Sequence, residues 1–116
     1  MTIKHNDMVA GLKKLGQAII DTLTPQRMDA MHMAIGIAGE AGELLDAIKK
    51  QVIYNKPLDR ENVVEELGDL EFYMEGLRQA LDITRDETIA HNIAKLGVRY
   101  AKGYTDAAAA ARADKA

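Results

Sequence analysis

GEAGELLDAIKK (residues 39–50) and VVEELGDLEFYM (residues 63–74) are the stretches that decide the fold of this chain. Each carries two acids three residues apart, Glu40 with Glu43 and Glu66 with Asp69. Both stretches read as helix, and on a helix such neighbours share a face about one turn apart. Two of these helices packed face to face would pool their carboxylates. Anions gathered in a part-buried place repel strongly unless cations join them. The natural counter-ions are hard divalent metals with oxygen ligands, above all Mg²⁺, with Mn²⁺ as a substitute.

Outward from these stretches the chain reads as helix almost throughout. Residues 7–23 fit a first helix with Met8, Leu12, Leu15 and Ile19 on one stripe and Asn6 or Asp7 as its cap. Thr24 followed by Pro25 is a start signal, a capping hydroxyl and then a proline at the first helical position. The second helix then runs from Pro25 to Val52 or Tyr54, with Met28, Met31, Ile35, Ala38, Gly42, Leu45 and Ile48 as its expected core stripe. Beside that stripe lies a chemical one, His32, Gly36, Glu40, Glu43, Ala47 and Lys50. Gly36, Gly39 and Gly42 each cost about 1 kcal/mol relative to alanine inside a helix. Small residues there let another helix or a bulky ligand come close.

Residues 55–59 (NKPLD) form a loop, and Asp59 caps a third helix reaching about Leu81. Its expected seam is Val63, Leu67, Leu70, Met74, Leu77 and Leu81, flanked by Asn62, Glu66, Asp69, Tyr73 and Gly76. Thr84, with Glu87 three later, opens a fourth helix. Ile89, Ile93, Leu96 and Tyr100 line one of its faces, Asn92, Lys95, Arg99 and Lys102 an adjacent one, and Gly103 is the expected stop. The reading is one helical domain over residues 1–104, followed by an Ala-rich tail over 105–116 that is a frayed helix or disordered.

Bulk properties narrow the function classes. With 116 residues the chain has room for one domain with a real core. A net charge of −3 offers no footprint for nucleic acid or an anionic membrane. There is no cysteine, which removes disulfides, thiolate metal sites and a cysteine nucleophile, and suits a reducing cytoplasm. No run has the apolar core of a signal peptide or membrane-spanning length.

Three uses fit the acid pairs. They could be solvated helix faces, yet both pairs flank an apolar seam, and on that stripe only Lys50 lies beyond Glu43 as a cationic partner. A carboxylate di-iron bundle needs Glu-x-x-His on two helices. His5, His32 and His91 do not stand three residues after a glutamate, so that use is rejected. The third is a Mg²⁺ site for phosphate chemistry, which needs cations against the non-bridging oxygens, a positioned water and basic side chains for the leaving phosphates. Glu40, Glu43, Glu66 and Asp69 could hold the metal. Lys49 or Lys50, Lys95 and Arg99 could meet the phosphates, and Asn92 a phosphate or a sugar hydroxyl. No Gly-rich phosphate loop is present.

At these residues the sequence resembles the MazG-like all-α nucleoside triphosphate pyrophosphohydrolases, relatives of the dimeric dUTPases and the phosphoribosyl-ATP pyrophosphohydrolases. Their E-x-x-E, spacer, E-x-x-D signature is matched by GEAGEL and EELGDL, and NIAKLGVRY (residues 92–100) is similar to their closing N-x-x-K-L-x-x-R-Y element. The resemblance implies a bundle of four or five helices assembled as a dimer or tetramer. It implies cleavage of a nucleoside triphosphate between the α and β phosphates to a monophosphate and pyrophosphate. Glu40, Glu43, Glu66 and Asp69 would then be Mg²⁺ ligands, with Glu43 or Glu40 orienting or deprotonating the attacking water. Asn92, Lys95, Arg99 and Tyr100 would touch the phosphates or sugar. His32 would line the base or ribose pocket and Tyr73 could stack on a base, although both also suit plain helix packing. The rival function is a non-catalytic nucleotide-binding or helical oligomerisation module.

Overall fold

The computed structural model describes residues 2–115. Among them are six α-helices, α1 (His5–Leu12), α2 (Gly16–Ile20), α3 (Pro25–Val52), α4 (Arg60–Ala80), α5 (Arg85–Arg99) and α6 (Asp106–Ala111), a closing 3₁₀ turn (Ala113–Lys115), and no strand. The all-helical class expected from the sequence holds.

The long helices begin where local chemistry says they should. The Thr24 hydroxyl accepts from the Arg27 amide at 3.2 Å and Pro25 takes the first helical position. An Asp59 carboxylate oxygen accepts from the Asn62 amide at 3.1 Å, and the Thr84 hydroxyl from the Glu87 amide at 3.0 Å. Each bond satisfies one of the amides left open by the first turn.

The first expected helix is instead two. Lys13 and Leu15 are extended, with ψ of 140° and 143°, and separate α1 from α2. The cap is Lys4, without a side-chain bond, rather than Asn6 or Asp7. Two glycines, Gly11 and Gly16, weaken helix at the break, and the stripe expected to hold it together is uncovered, Leu12 being 79% exposed. α5 stops at Arg99, four residues short of Gly103, which takes the left-handed turn that follows (φ 88°). The Ala-rich stretch forms α6, capped by the Thr105 hydroxyl.

α3 and α4 pack along their length as an antiparallel hairpin. Its register is set by Gln26 Nε2 donating to the Ala80 carbonyl (2.9 Å), by Met33 against Gly76, and by Gly36 against the ring of Tyr73. A Cβ at Gly36 would collide with that ring, so here the small residue is what allows the approach. The α3 side of the interface is Ala30, Met33, Ile37, Glu40, Leu44 and Ala47, spaced by threes and fours. This corrects the expected core stripe. Met28, Met31, Ile35, Leu45 and Ile48 all face outward, as do Leu67 and Leu81 of the α4 seam. The face that packs the hairpin mixes the expected stripes: Glu40, Ala47, Glu66 and Tyr73 of the chemical ones are covered together with Val63, Leu70, Met74 and Leu77 of the α4 seam.

The other helices touch the hairpin only sparsely. The radius of gyration is 20.1 Å, against about 13 Å for a compact chain of this length. The surface is 9515 Å², against about 6,200 Å² for a compact monomer of this mass. Among the described residues only Ala47 and Glu66 are buried. The bundle expected from the sequence is, within one chain, a hairpin with arms.

Candidate metal centre between α3 and α4

The acids are brought together by the hairpin register. Glu40 and Glu43 stand one turn apart on α3, and the partner position on α4 is Glu66. Each of the three offers a carboxylate oxygen within 4.8 Å of the other two. Glu66 is 9% exposed, Glu40 is half-buried and Glu43 is exposed. One oxygen of Glu40 and one of Glu66, both Oε2, are buried without a hydrogen-bond partner. The nearby Glu40 carboxylate, ready to accept a proton held on Glu66, then burial, then Glu43 as a second such acceptor and neighbouring charge, push the Glu66 carboxyl up to about 7.

Such a cluster is unfavourable with every member ionised, and a proton relieves it only in part. A hard divalent cation fits it better. The donors are all carboxylate oxygens, and two of the three residues carry a covered oxygen with no partner among the described residues. An open cleft of about 460 Å³ adjoins the cluster, lined by Gly39, Gly42, Glu43, Asp46, Asn62 and Glu66. Gly39 and Gly42 have nothing near their missing Cβ atoms and serve to keep it open. Larger clefts of about 700 and 500 Å³ lie along outer helix faces, around Phe72 and around Met31 and Leu81. Neither contains the carboxylate trio.

The remaining candidates fall into two groups. His32 and Tyr73 lie across the hairpin from each other, ring centroids 6.5 Å apart, with Tyr73 half-buried and edge-on to Phe72 at 5.2 Å. His32 is eight residues before Glu40, about 12 Å along the helix. Asp69 is on α4 one turn past Glu66 but exposed and outside the trio. Lys50 is exposed and paired with Asp46 at 3.1 Å. Asn92, Lys95 and Arg99 ride on α5 and Tyr100 caps its end; α5 touches the hairpin at most sparsely. Arg99 is held by Asp114 at 2.7 Å. Asn62, on the α4 stripe with Glu66, and Asp46 line the cleft beside the trio without being among the expected ligands, and nothing in the Ala-rich stretch points to Asp114.

The fold and the cluster together define an all-helical protein with a carboxylate centre between two antiparallel helices. A family model described as the MazG nucleotide pyrophosphohydrolase domain matches residues 29–103, and the chain belongs to that family. The matched span contains α3 from its second turn onward, all of α4 and α5, and the trio. No curated protein and no solved structure matches the chain. No helix among the described residues is long and apolar enough to cross a membrane.

Proposed function

We propose that the protein is a Mg²⁺-dependent pyrophosphohydrolase that cleaves a nucleoside or deoxynucleoside triphosphate between its α and β phosphates, in the cytoplasm and as a homodimer or homotetramer. The observation that carries this is the gathering of Glu40, Glu43 and Glu66 carboxylates beside an open cleft, two of them with a covered oxygen that has no partner among the described residues, in a chain of this family.

Glu40, Glu43 and Glu66 would hold the metal, with Asp69 joining from one turn further along α4. A divalent cation bound there supplies positive charge against the phosphate oxygens. The chain's own groups do the rest. One carboxylate, Glu43 or Glu40, orients a water and takes its proton as the water oxygen bonds to phosphorus. The bond from phosphorus to the bridging oxygen breaks, and pyrophosphate leaves with the electron pair. Lys50, Lys95 and Arg99 bind the phosphates, which neutralises charge on the leaving group. Asn92 and Tyr100 meet phosphate or sugar, and His32 and Tyr73 form the wall for the base.

Assembly is part of the same proposal. The outward apolar stripes of α3 and α4 and the excess of exposed surface call for a second copy. That association is also what would bring the basic stripe of α5 to a carboxylate cluster. The test is hydrolysis of a panel of NTPs and dNTPs with Mg²⁺ in ¹⁸O-labelled water. The expected products are a monophosphate carrying the label and unlabelled pyrophosphate. Release of orthophosphate, or no turnover of any nucleotide, would overturn the assignment.

A further inference from the structure

The Ala-rich segment folds back to place one carboxylate on a basic residue of α5. Thr105 caps α6, whose helical residues are Asp106 and five alanines. Arg112 then adopts a left-handed backbone (φ 49°), a conformation that disfavours side chains beyond glycine, and turns the chain into the closing 3₁₀ turn. That turn packs on α5. Its Asp114 accepts from Arg99 Nε at 2.7 Å, with the two side chains 6% and 15% exposed. In a chain that covers so little, this is a well-shielded ion pair. The Arg99 guanidinium holds the Asp114 carboxyl below the usual carboxylate range, with Lys95 adding to the field.

The pair is nevertheless incomplete. Arg99 Nη2 is covered and has no hydrogen-bond partner among the described residues. Asp114 engages Nε alone and Tyr100 stands beside the guanidinium, whereas a guanidinium can grip an oxyanion group through two parallel bonds. Alanines bury little, so the pair accounts for much of what holds the segment down. A phosphate group offers more charge and more acceptor oxygens than one carboxylate, and so can displace it.

We infer that the segment ending in Asp114 is an internal latch that occupies the phosphate-binding guanidinium of Arg99 and is displaced by the polyphosphate of the incoming nucleotide. This rests on the function proposed above, in which Arg99 meets the substrate's phosphates. A latch of this kind lowers apparent affinity by the fraction of time it is open. It does not touch the bond-breaking step.

The test compares wild type with Asp114→Asn and Asp114→Glu in the full chain. Asp114→Asn should lower KM for the nucleotide about fivefold, with kcat unchanged, if the latch is closed about four-fifths of the time. Asp114→Glu, which keeps the charge, should restore the wild-type KM. Calorimetry with inorganic pyrophosphate should show the same roughly fivefold tightening in Asp114→Asn. An unchanged KM and pyrophosphate affinity in Asp114→Asn would overturn the latch. A raised KM would do so too, since Asp114 would then be holding Arg99 in its binding pose. The pyrophosphate titration needs no turnover, so absence of hydrolysis would defeat the proposed activity while the latch would still be read from binding.

Discussion

Glu40 and Glu66 meet across the α3–α4 interface with one covered, unpaired oxygen each, in a chain that buries almost nothing else. Packing that favoured stability alone would place apolar side chains there and turn the acids to water. At this one point among apolar neighbours the hairpin instead covers two acids, and several consequences can be measured.

The first concerns pH. The folded chain holds the Glu66 proton up to about pH 7, above the ordinary 4.5 of a glutamate. Between those values the folded state binds more protons at this site than the unfolded state. The site's contribution to stability is therefore full below about pH 4.5 and lost as pH rises through 7. Glu66→Gln removes the titration, so without divalent metal the variant should melt higher than wild type at pH 8, and the gap should close at pH 5. In the proposed metal centre Mg²⁺ competes with that proton, so it should raise the wild-type melting temperature more at pH 8 than at pH 5. Equal shifts at both pH values would contradict the competition.

The second concerns the glycines of the interface. Gly36 faces the rigid ring of Tyr73, and Gly76 the flexible thioether of Met33. Gly36→Ala should destabilise by about 1–3 kcal/mol through overpacking, outweighing the gain of about 1 kcal/mol in helix propensity. Gly76→Ala should be close to neutral, because the methionine can swing aside. Chemical denaturation of both variants reads the difference.

The third concerns assembly. Ile35 and Leu45 are 59% and 68% exposed on the outer stripe of α3. The protein should scatter light at micromolar concentration as a multiple of its 12.7 kDa chain mass. Ile35→Glu and Leu45→Glu should shift it toward the single chain and lower its thermal stability. A wild-type monomer would contradict the proposed assembly.

Much of this was legible from local chemistry. Thr24–Pro25, Asp59 and Thr84 mark helix starts because a cap needs only neighbouring atoms, and the acid pairs are visible because helical spacing is fixed. The facing of α3 was not legible. Met28, Met31 and Ile35 look like a core stripe because periodicity reports that a face is apolar, not whether the same chain or another copy covers it. The separation of Asp69 from the trio depends on helix phase at the crossing, which three-residue spacing does not set. The break at residues 13–15 is a tertiary outcome, since a stripe with nothing to pack on cannot enforce one continuous helix. The Asp114–Arg99 pair joins positions fifteen apart across a left-handed turn at Arg112, a bend no pattern announces.

The most direct test of the metal centre is pyrophosphate release from a nucleotide panel as Mg²⁺ is titrated into wild type, Glu40→Gln and Glu66→Gln. Turnover should depend on Mg²⁺ in the wild type and drop by at least a thousandfold in either variant, about 4 kcal/mol of transition-state stabilisation. Hydrolysis that persists undiminished in both variants, or that ignores Mg²⁺ removal by chelator, would contradict it.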